Sequence, residues 1–169
     1  MIANRVNNIK PSFTLEMATK AAEMRSEGID VINFSVGEPD FNTPKHICDA
    51  AKNAIDNGYT KYTAGPGMIE ARQAICKKLE RDNGLYYNPD NVLISNGEKQ
   101  SLFTACQALI NPGDRVIVFT PYWVSFPEFV RMADAEPVLI NTLANNNYEP
   151  DFDALKKNIK KNIKGVIIN

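Results

Sequence analysis

Asn111-Pro112-Gly113-Asp114-Arg115-Val116-Ile117-Val118-Phe119 decides the fold. A Pro-Gly turn feeds a strand over Arg115–Phe119 in which apolar residues follow one another without polar alternation. Strands of that kind are covered on both faces, as in a parallel sheet. Further strands are predicted at Val92–Ser95, Pro137–Thr142 and Lys164–Asn169, the last with the apolar run Val166-Ile167-Ile168. Helical patterns separate them: Gln100–Ile110 with Leu102, Phe103, Cys106 and Leu109, then Pro127–Ala133. A third helix is capped by Asp151 and rich in Lys156, Lys157, Lys160 and Lys161. Strand and helix in alternation give an α/β chain with a mostly parallel, helix-covered sheet.

Upstream the pattern is mainly helical. Ser12–Ser26 places Leu15, Ala18, Ala22 and Arg25 at helical spacing, with Gly28 as the stop. Asp30–Val36 reads as a strand on the β-prone Val31, Ile32, Phe34 and Val36. Gly37-Glu38-Pro39-Asp40-Phe41 breaks it. Thr43 as N-cap and Pro44 at the first helical position open a helix that closes near Gly58, with Ile47, Ala51, Ala54 and Ile55 inward. Tyr59–Gly67 is a loop, and Met68–Asn83 a helix ended by Gly84, with Ile75 and Leu79 inward. The chain ends at Asn169, on an apolar strand. A parallel strand hands its ligand-facing end to a loop, so the expectation is an incomplete domain.

Composition narrows the function. Of 169 residues 44% are hydrophobic and 23% charged, a globular balance. Lys and Arg total 19 against 20 Asp and Glu, which leaves no basic surplus for a phosphate backbone and argues against nucleic acid. No apolar run approaches the roughly 18–20 residues of a membrane span. Met1–Lys10 lacks the apolar core of a signal peptide, so a cytoplasmic location is expected. Cys48, Cys76 and Cys106 are scattered and odd in number, which fits small buried hydrophobes better than disulfides or zinc. His46 reads as a surface histidine at a helix start. Asn33-Phe34-Ser35 matches a glycosylation acceptor but falls within the predicted strand.

Four places can carry chemistry. Ser95-Asn96-Gly97-Glu98-Lys99-Gln100 joins a strand to a helix, and first-turn N–H groups there suit an anion. The run is neither a P-loop nor a dinucleotide fingerprint. Pro121-Tyr122-Trp123 follows a strand at the carboxyl edge where open α/β sheets bind ligands. Trp123 either stacks on a flat ring or packs in the core. Gly37 offers a bare N–H to a carboxylate or serves turn geometry alone, and Tyr62 is a hydrogen-bond donor or a loop anchor. Lys99 is a site lysine or a solvated one.

Ser35-Val36-Gly37-Glu38-Pro39-Asp40-Phe41, Tyr59-Thr60-Lys61-Tyr62, Asn96-Gly97-Glu98-Lys99-Gln100, Asn111-Pro112-Gly113-Asp114 and Pro121-Tyr122-Trp123 occur together in this order. In these motifs the whole chain resembles the amino-terminal portion of class I pyridoxal-phosphate (PLP) aminotransferases of fold type I, aspartate aminotransferases foremost. The resemblance implies that Gly97, Glu98 and Lys99 hold the cofactor phosphate through backbone N–H groups. It implies that Trp123 stacks on the pyridine ring and borders the substrate, and that Gly37 donates to the substrate α-carboxylate. It matches Tyr62 to a tyrosine that reaches the neighbouring subunit's phosphate, which implies a homodimer with shared active sites.

The same resemblance divides the chain into an arm and part of a small domain over 1–45 and the first part of the PLP-binding domain over 46–169. It puts the Val92 strand at one side of the sheet and the strands at Arg115, Pro137 and Lys164 together at the other. The Schiff-base lysine, the aspartate that pairs the pyridine nitrogen and the substrate-gripping arginine match no position here, so no catalytic residue and no metal site is assigned. The implied reaction moves an amino group between aspartate or glutamate and a 2-oxo acid. Aromatic-, alanine- or prephenate-type transamination and a non-catalytic truncated fragment are the rival readings.

Overall fold

A computed structural model describes residues 2–159 and 162–169. Its elements in chain order begin with helices α1 (Asn4–Asn7), α2 (Phe13–Ser26), α3 (Lys45–Asp56), α4 (Ile69–Asn83) and α5 (Gly97–Leu109). Strand β1 (Arg115–Thr120), helix α6 (Phe126–Met132), strand β2 (Glu136–Asn141), helix α7 (Phe152–Asn158) and strand β3 (Ile163–Ile167) follow. Single 3-10 turns occupy Pro89–Asn91 and Ala144–Asn146. The chain forms two compact units, Gly37–Ser101 and Met1–Val36 with Leu102–Asn169. Among the described residues no helix is long and apolar enough to cross a membrane.

The second of these units holds the sheet, in the order β2-β1-β3 with both pairings parallel. Parallel neighbours need crossovers, and α6 and α7 supply them. The turn that starts β1 is built as its sequence demands. Gly113 takes φ +82, and the Asp114 carboxylate accepts from the Asn111 N–H at 2.8 Å. Within β1, Val116, Ile117 and Val118 are 1–2% exposed because helices cover both faces. Val118 packs with Cys106 of α5 and with Phe126 and Phe129 of α6. On the opposite face Ile117, Val138 and Ile140 pack against Leu155 of α7. Each such side chain contributes about 1.5–3 kcal/mol on burial.

Arg115 closes one end of this arrangement. Its guanidinium donates to the Glu136 carboxylate at 3.1 Å and to the Asn158 carbonyl at 3.1 Å, joining β1, β2 and α7. The register to β3 shifts by one residue beside it: Arg115 faces Ile163 and Val116 faces Gly165. Elsewhere in the unit the Lys10 N–H donates to the Glu128 carboxylate, and Arg5 pairs with Asp134 at 3.8 Å, so the amino-terminal arm is tied to α6 and the turn after it.

Two predicted strands are absent. Asp30–Val36 is irregular, with Ile32 and Phe34 79% and 92% exposed. Its backbone finds the Arg25 guanidinium at the Val31 carbonyl rather than a strand. Val92–Ser95 is likewise outside any ladder: the Val92 N–H donates to the Pro89 carbonyl at 3.1 Å and the Ile94 N–H to the Pro66 carbonyl at 3.0 Å. β-propensity needs a pairing edge, and the described residues bring none to either segment. By contrast the strands at Arg115, Pro137 and Lys164 do assemble together.

Smaller corrections concern helix ends and faces. Pro44 itself is the N-cap of α3 in place of Thr43, because its ψ of 138° is extended. Helix α5 starts at Gly97, three residues before the predicted Gln100. The inward stripe expected of α3 is open, Ile47 and Ile55 being 50% and 63% exposed, and in α2 only Ala21 is buried. Asp151 caps α7 as expected, accepting from the Asp153 and Ala154 N–H groups. Lys160 and Lys161 lie outside the described residues.

Burial predicts an order of thiol reactivity. Desolvation in the α5–β1–α6 core pushes the Cys106 thiol above its ordinary range, while Cys48 and Cys76 are only half-buried. Alkylation of the folded protein at neutral pH, followed by mass spectrometry, should modify Cys48 and Cys76 first and Cys106 last. Equal rates at all three would show that this core is open.

Candidate functional site

The site residues fall in separate units and are described there. Gly37, Tyr62, Gly97, Glu98 and Lys99 belong to Gly37–Ser101, and Trp123 belongs to the sheet unit.

In the first unit, helix α5 begins at Gly97. This residue takes φ +79, a region that L side chains rarely occupy, and an added Cβ would meet nothing within 4 Å. Glycine is therefore required there by backbone conformation and not by crowding. The Gly97 N–H reaches the Ser95 carbonyl at 2.9 Å, so the amide donors assigned to a phosphate begin with Glu98. Gly97, Glu98 and Lys99 form the first turn of a 13-residue helix, whose dipole favours an anion. The Glu98 carboxylate has the wrong sign for that ligand, which leaves its backbone as the useful part.

The same turn carries polar side chains that the sequence reading passed over. The Asn96 N–H donates to Gln100 Oε1 at 2.5 Å. Ser101 Oγ donates to the Gly97 carbonyl at 3.2 Å and meets Ser95 Oγ. Their signal was available: Ser101 stands four residues after Gly97, one helical turn along.

Arg72 is a second omission. It is buried at 8% exposure, donates to the Pro89 carbonyl at 2.9 Å and leaves its Nε without a partner. Tyr62 is fully exposed in its loop, and no hydrogen bond to its hydroxyl is found among the described residues. Gly37 has open space around its Cβ position and lies in irregular backbone, not at a strand end.

In the sheet unit the carboxyl end of β1 leads through a cis Thr120–Pro121 bond to Tyr122 and Trp123. Trp123 is half-buried, with its ring edge-on to Phe126 at 5.5 Å and to Phe129 at 6.0 Å. Trp123 packs against the core cluster while remaining only partly buried. Beside it the Thr142 hydroxyl donates to the Thr120 carbonyl, and the Thr120 hydroxyl donates to Asn141 Oδ1 at 3.3 Å. These bonds tie the ends of β1 and β2. A cavity of about 450 Å³ opens at the same carboxyl edge, lined by Phe119, Thr120, Pro121, Thr142, Tyr148 and Ile168 among others.

A parallel sheet with a cavity and a half-buried aromatic at its carboxyl edge has the form in which open α/β proteins bind ligands. Residues 29–169 match the family described as aminotransferase class I and II, and the chain belongs to that family. It is 46% identical over 169 residues to an aspartate aminotransferase of Bacillus sp. strain YM-2, covering 100% of this chain and 43% of that protein. An aspartate/prephenate aminotransferase of Thermus thermophilus is 40% identical over 168 residues, 99% of this chain and 44% of its own length. Among solved structures, the aspartate aminotransferase from Thermus thermophilus with maleate superposes with a TM-score of 0.94 at 40% identity, over 100% of this chain and 44% of that one. The enzyme from Rhizobium meliloti gives 0.92 at 40% identity, over 100% and 42%. The chain thus spans less than half the length of the relatives it matches.

The family is pyridoxal-phosphate dependent. Within its own unit, the helix start at Gly97 has the chemistry of an anion site; within the sheet unit, Trp123 has that of a stacking surface.

Two glycine substitutions separate conformation from space. Gly97→Ala places a side chain at φ +79 and should lower stability by about 1–2 kcal/mol, read from urea denaturation. Gly37→Ala meets neither a positive φ nor a neighbour within 4 Å and should change stability by less than about 0.5 kcal/mol.

Proposed function

We propose that this chain is the amino-terminal portion of a cytoplasmic, homodimeric PLP-dependent aminotransferase. The complete protein would move an amino group between aspartate or glutamate and a 2-oxo acid. The single observation that carries the reading is Trp123, half-buried after the carboxyl end of β1 with its ring in T-shaped contact with Phe126 and Phe129. The position supports a flat cofactor seated at the sheet edge, and the names of the relatives support the amino-acid class.

The roles divide as follows. PLP, when bound, supplies the electron sink for chemistry at the amino-acid α-carbon. The first turn of α5 would bind its phosphate through the backbone N–H groups of Glu98 and Lys99 and the helix dipole, with Gly97 setting the backbone conformation that starts the turn. Trp123 covers one ring face, fixes its tilt and excludes water from it. Gly37 presents a backbone N–H to the substrate carboxylate. Tyr62, exposed in its loop, reaches the phosphate held by a second copy. The lysine that carries the cofactor and moves the proton has no counterpart among these 169 residues. We also propose the division into an arm with part of a small domain over 1–45 and the start of the PLP-binding domain over 46–169. Prephenate as a second amino acceptor is the alternative favoured by a specific observation, because relatives at 40–45% identity carry aspartate/prephenate names.

The complete protein should transaminate aspartate with 2-oxoglutarate, followed by coupled oxidation of a reduced nicotinamide. Prephenate in place of 2-oxoglutarate tests the alternative in the same assay. In that protein Trp123→Ala should weaken PLP retention about fivefold or more, because ring stacking is worth about 1 kcal/mol beyond area. Retention unchanged after dialysis would place Trp123 in the core alone.

A further inference from the structure

The turn at Gly97 is more heavily braced than its role as a helix start requires. The Gly97 N–H donates to the Ser95 carbonyl at 2.9 Å, enclosing Asn96 in a tight turn. The Gln100 side chain then folds back over the turn, and its Oε1 accepts the Asn96 N–H at 2.5 Å. From the next residue, Ser101 Oγ donates to the Gly97 carbonyl at 3.2 Å. Ser95 Oγ completes the set by meeting Ser101 Oγ, its own distance to the Gly97 carbonyl being 3.5 Å. Serine bonding to the carbonyl four residues back is a known helical habit, but it usually bends a helix and does not favour it. Here that bond falls on the one residue of the turn with φ +79.

We propose that Gln100 and Ser101 are positioning residues for the phosphate turn: their side chains occupy the Asn96 N–H and the Gly97 carbonyl and so fix the direction of the first-turn amides. The inference rests on the proposed reading of Gly97 as part of a phosphate site. Neither side chain is assigned to the ligand. Both act through the backbone, by removing the alternative conformations that a glycine otherwise allows. A preorganised turn binds an anion more tightly than one that must order itself on binding.

The role has a signature that general stability lacks. It concerns the phosphate and not the ring, so PLP and phosphate-free pyridoxal should respond differently. In the complete protein, dissociation constants for both compounds are measured by equilibrium dialysis for the wild type and for Gln100→Met, Ser101→Ala and Ser101→Thr. Gln100→Met and Ser101→Ala should each weaken PLP binding about tenfold, the scale of one lost hydrogen bond, and leave pyridoxal unchanged. Ser101→Thr keeps the hydroxyl and should retain the wild-type preference. Equal loss for both compounds, or loss for neither, overturns the positioning role. Where Gln100→Met fails to fold, the Ser101→Ala and Ser101→Thr pair decides by the same comparison. A wild-type protein that binds the two compounds equally overturns the phosphate site itself, and with it this inference.

Discussion

A parallel strand cannot bury one face and leave the other wet, because its crossover connections place helices on both sides. That constraint governs the sheet unit. Val116, Ile117 and Val118 are consecutive and nearly inaccessible, so both faces of β1 must be met by apolar side chains. Cys106, Phe126 and Phe129 meet one, and Leu155 with Val138 and Ile140 meets the other. Arg115, at the start of the strand, holds β2 and α7 at their common end, and the Thr120–Thr142 bonds hold the opposite end. The strand that the sequence marks most plainly is thus the one on which the neighbours depend.

What could be read in advance follows from whether a signal is local. Turn chemistry at Asn111–Asp114, the Asp151 cap and the Gly84 stop are all satisfied by residues within a few positions, and each appears in the structure as expected. Asp30–Val36 and Val92–Ser95 failed because their β-prone residues state a preference for a sheet without supplying the neighbour. Strand formation is a property of a pair, and one segment encodes half of it. The open faces of α2 and α3 show the same thing for helices: spacing selects a face, and only a partner buries it.

The site was legible in its kinds of residue more than in its bonding. Glycine at the start of α5 and an aromatic after the central strand are visible as patterns with a stated chemistry. That the Gly97 N–H is used by Ser95, and that Gln100 and Ser101 brace the turn, depends on side-chain conformations that no spacing rule gives. Arg72 escaped notice for a related reason. An arginine in a helix reads as a surface residue until the chain segment that covers it, here Pro89–Asn91, is in place.

Trp123 is the single tryptophan in the sequence, and it lies between two phenylalanine edges at the end of β1. These 169 residues therefore carry one indole fluorophore, with no second emitter of the kind among them to blur its signal. Within them, light absorbed at the red edge of the protein band is reported from the carboxyl edge of the sheet. Any molecule that covers the ring alters its emission directly, so the chain has an optical probe built into the place where its chemistry is expected.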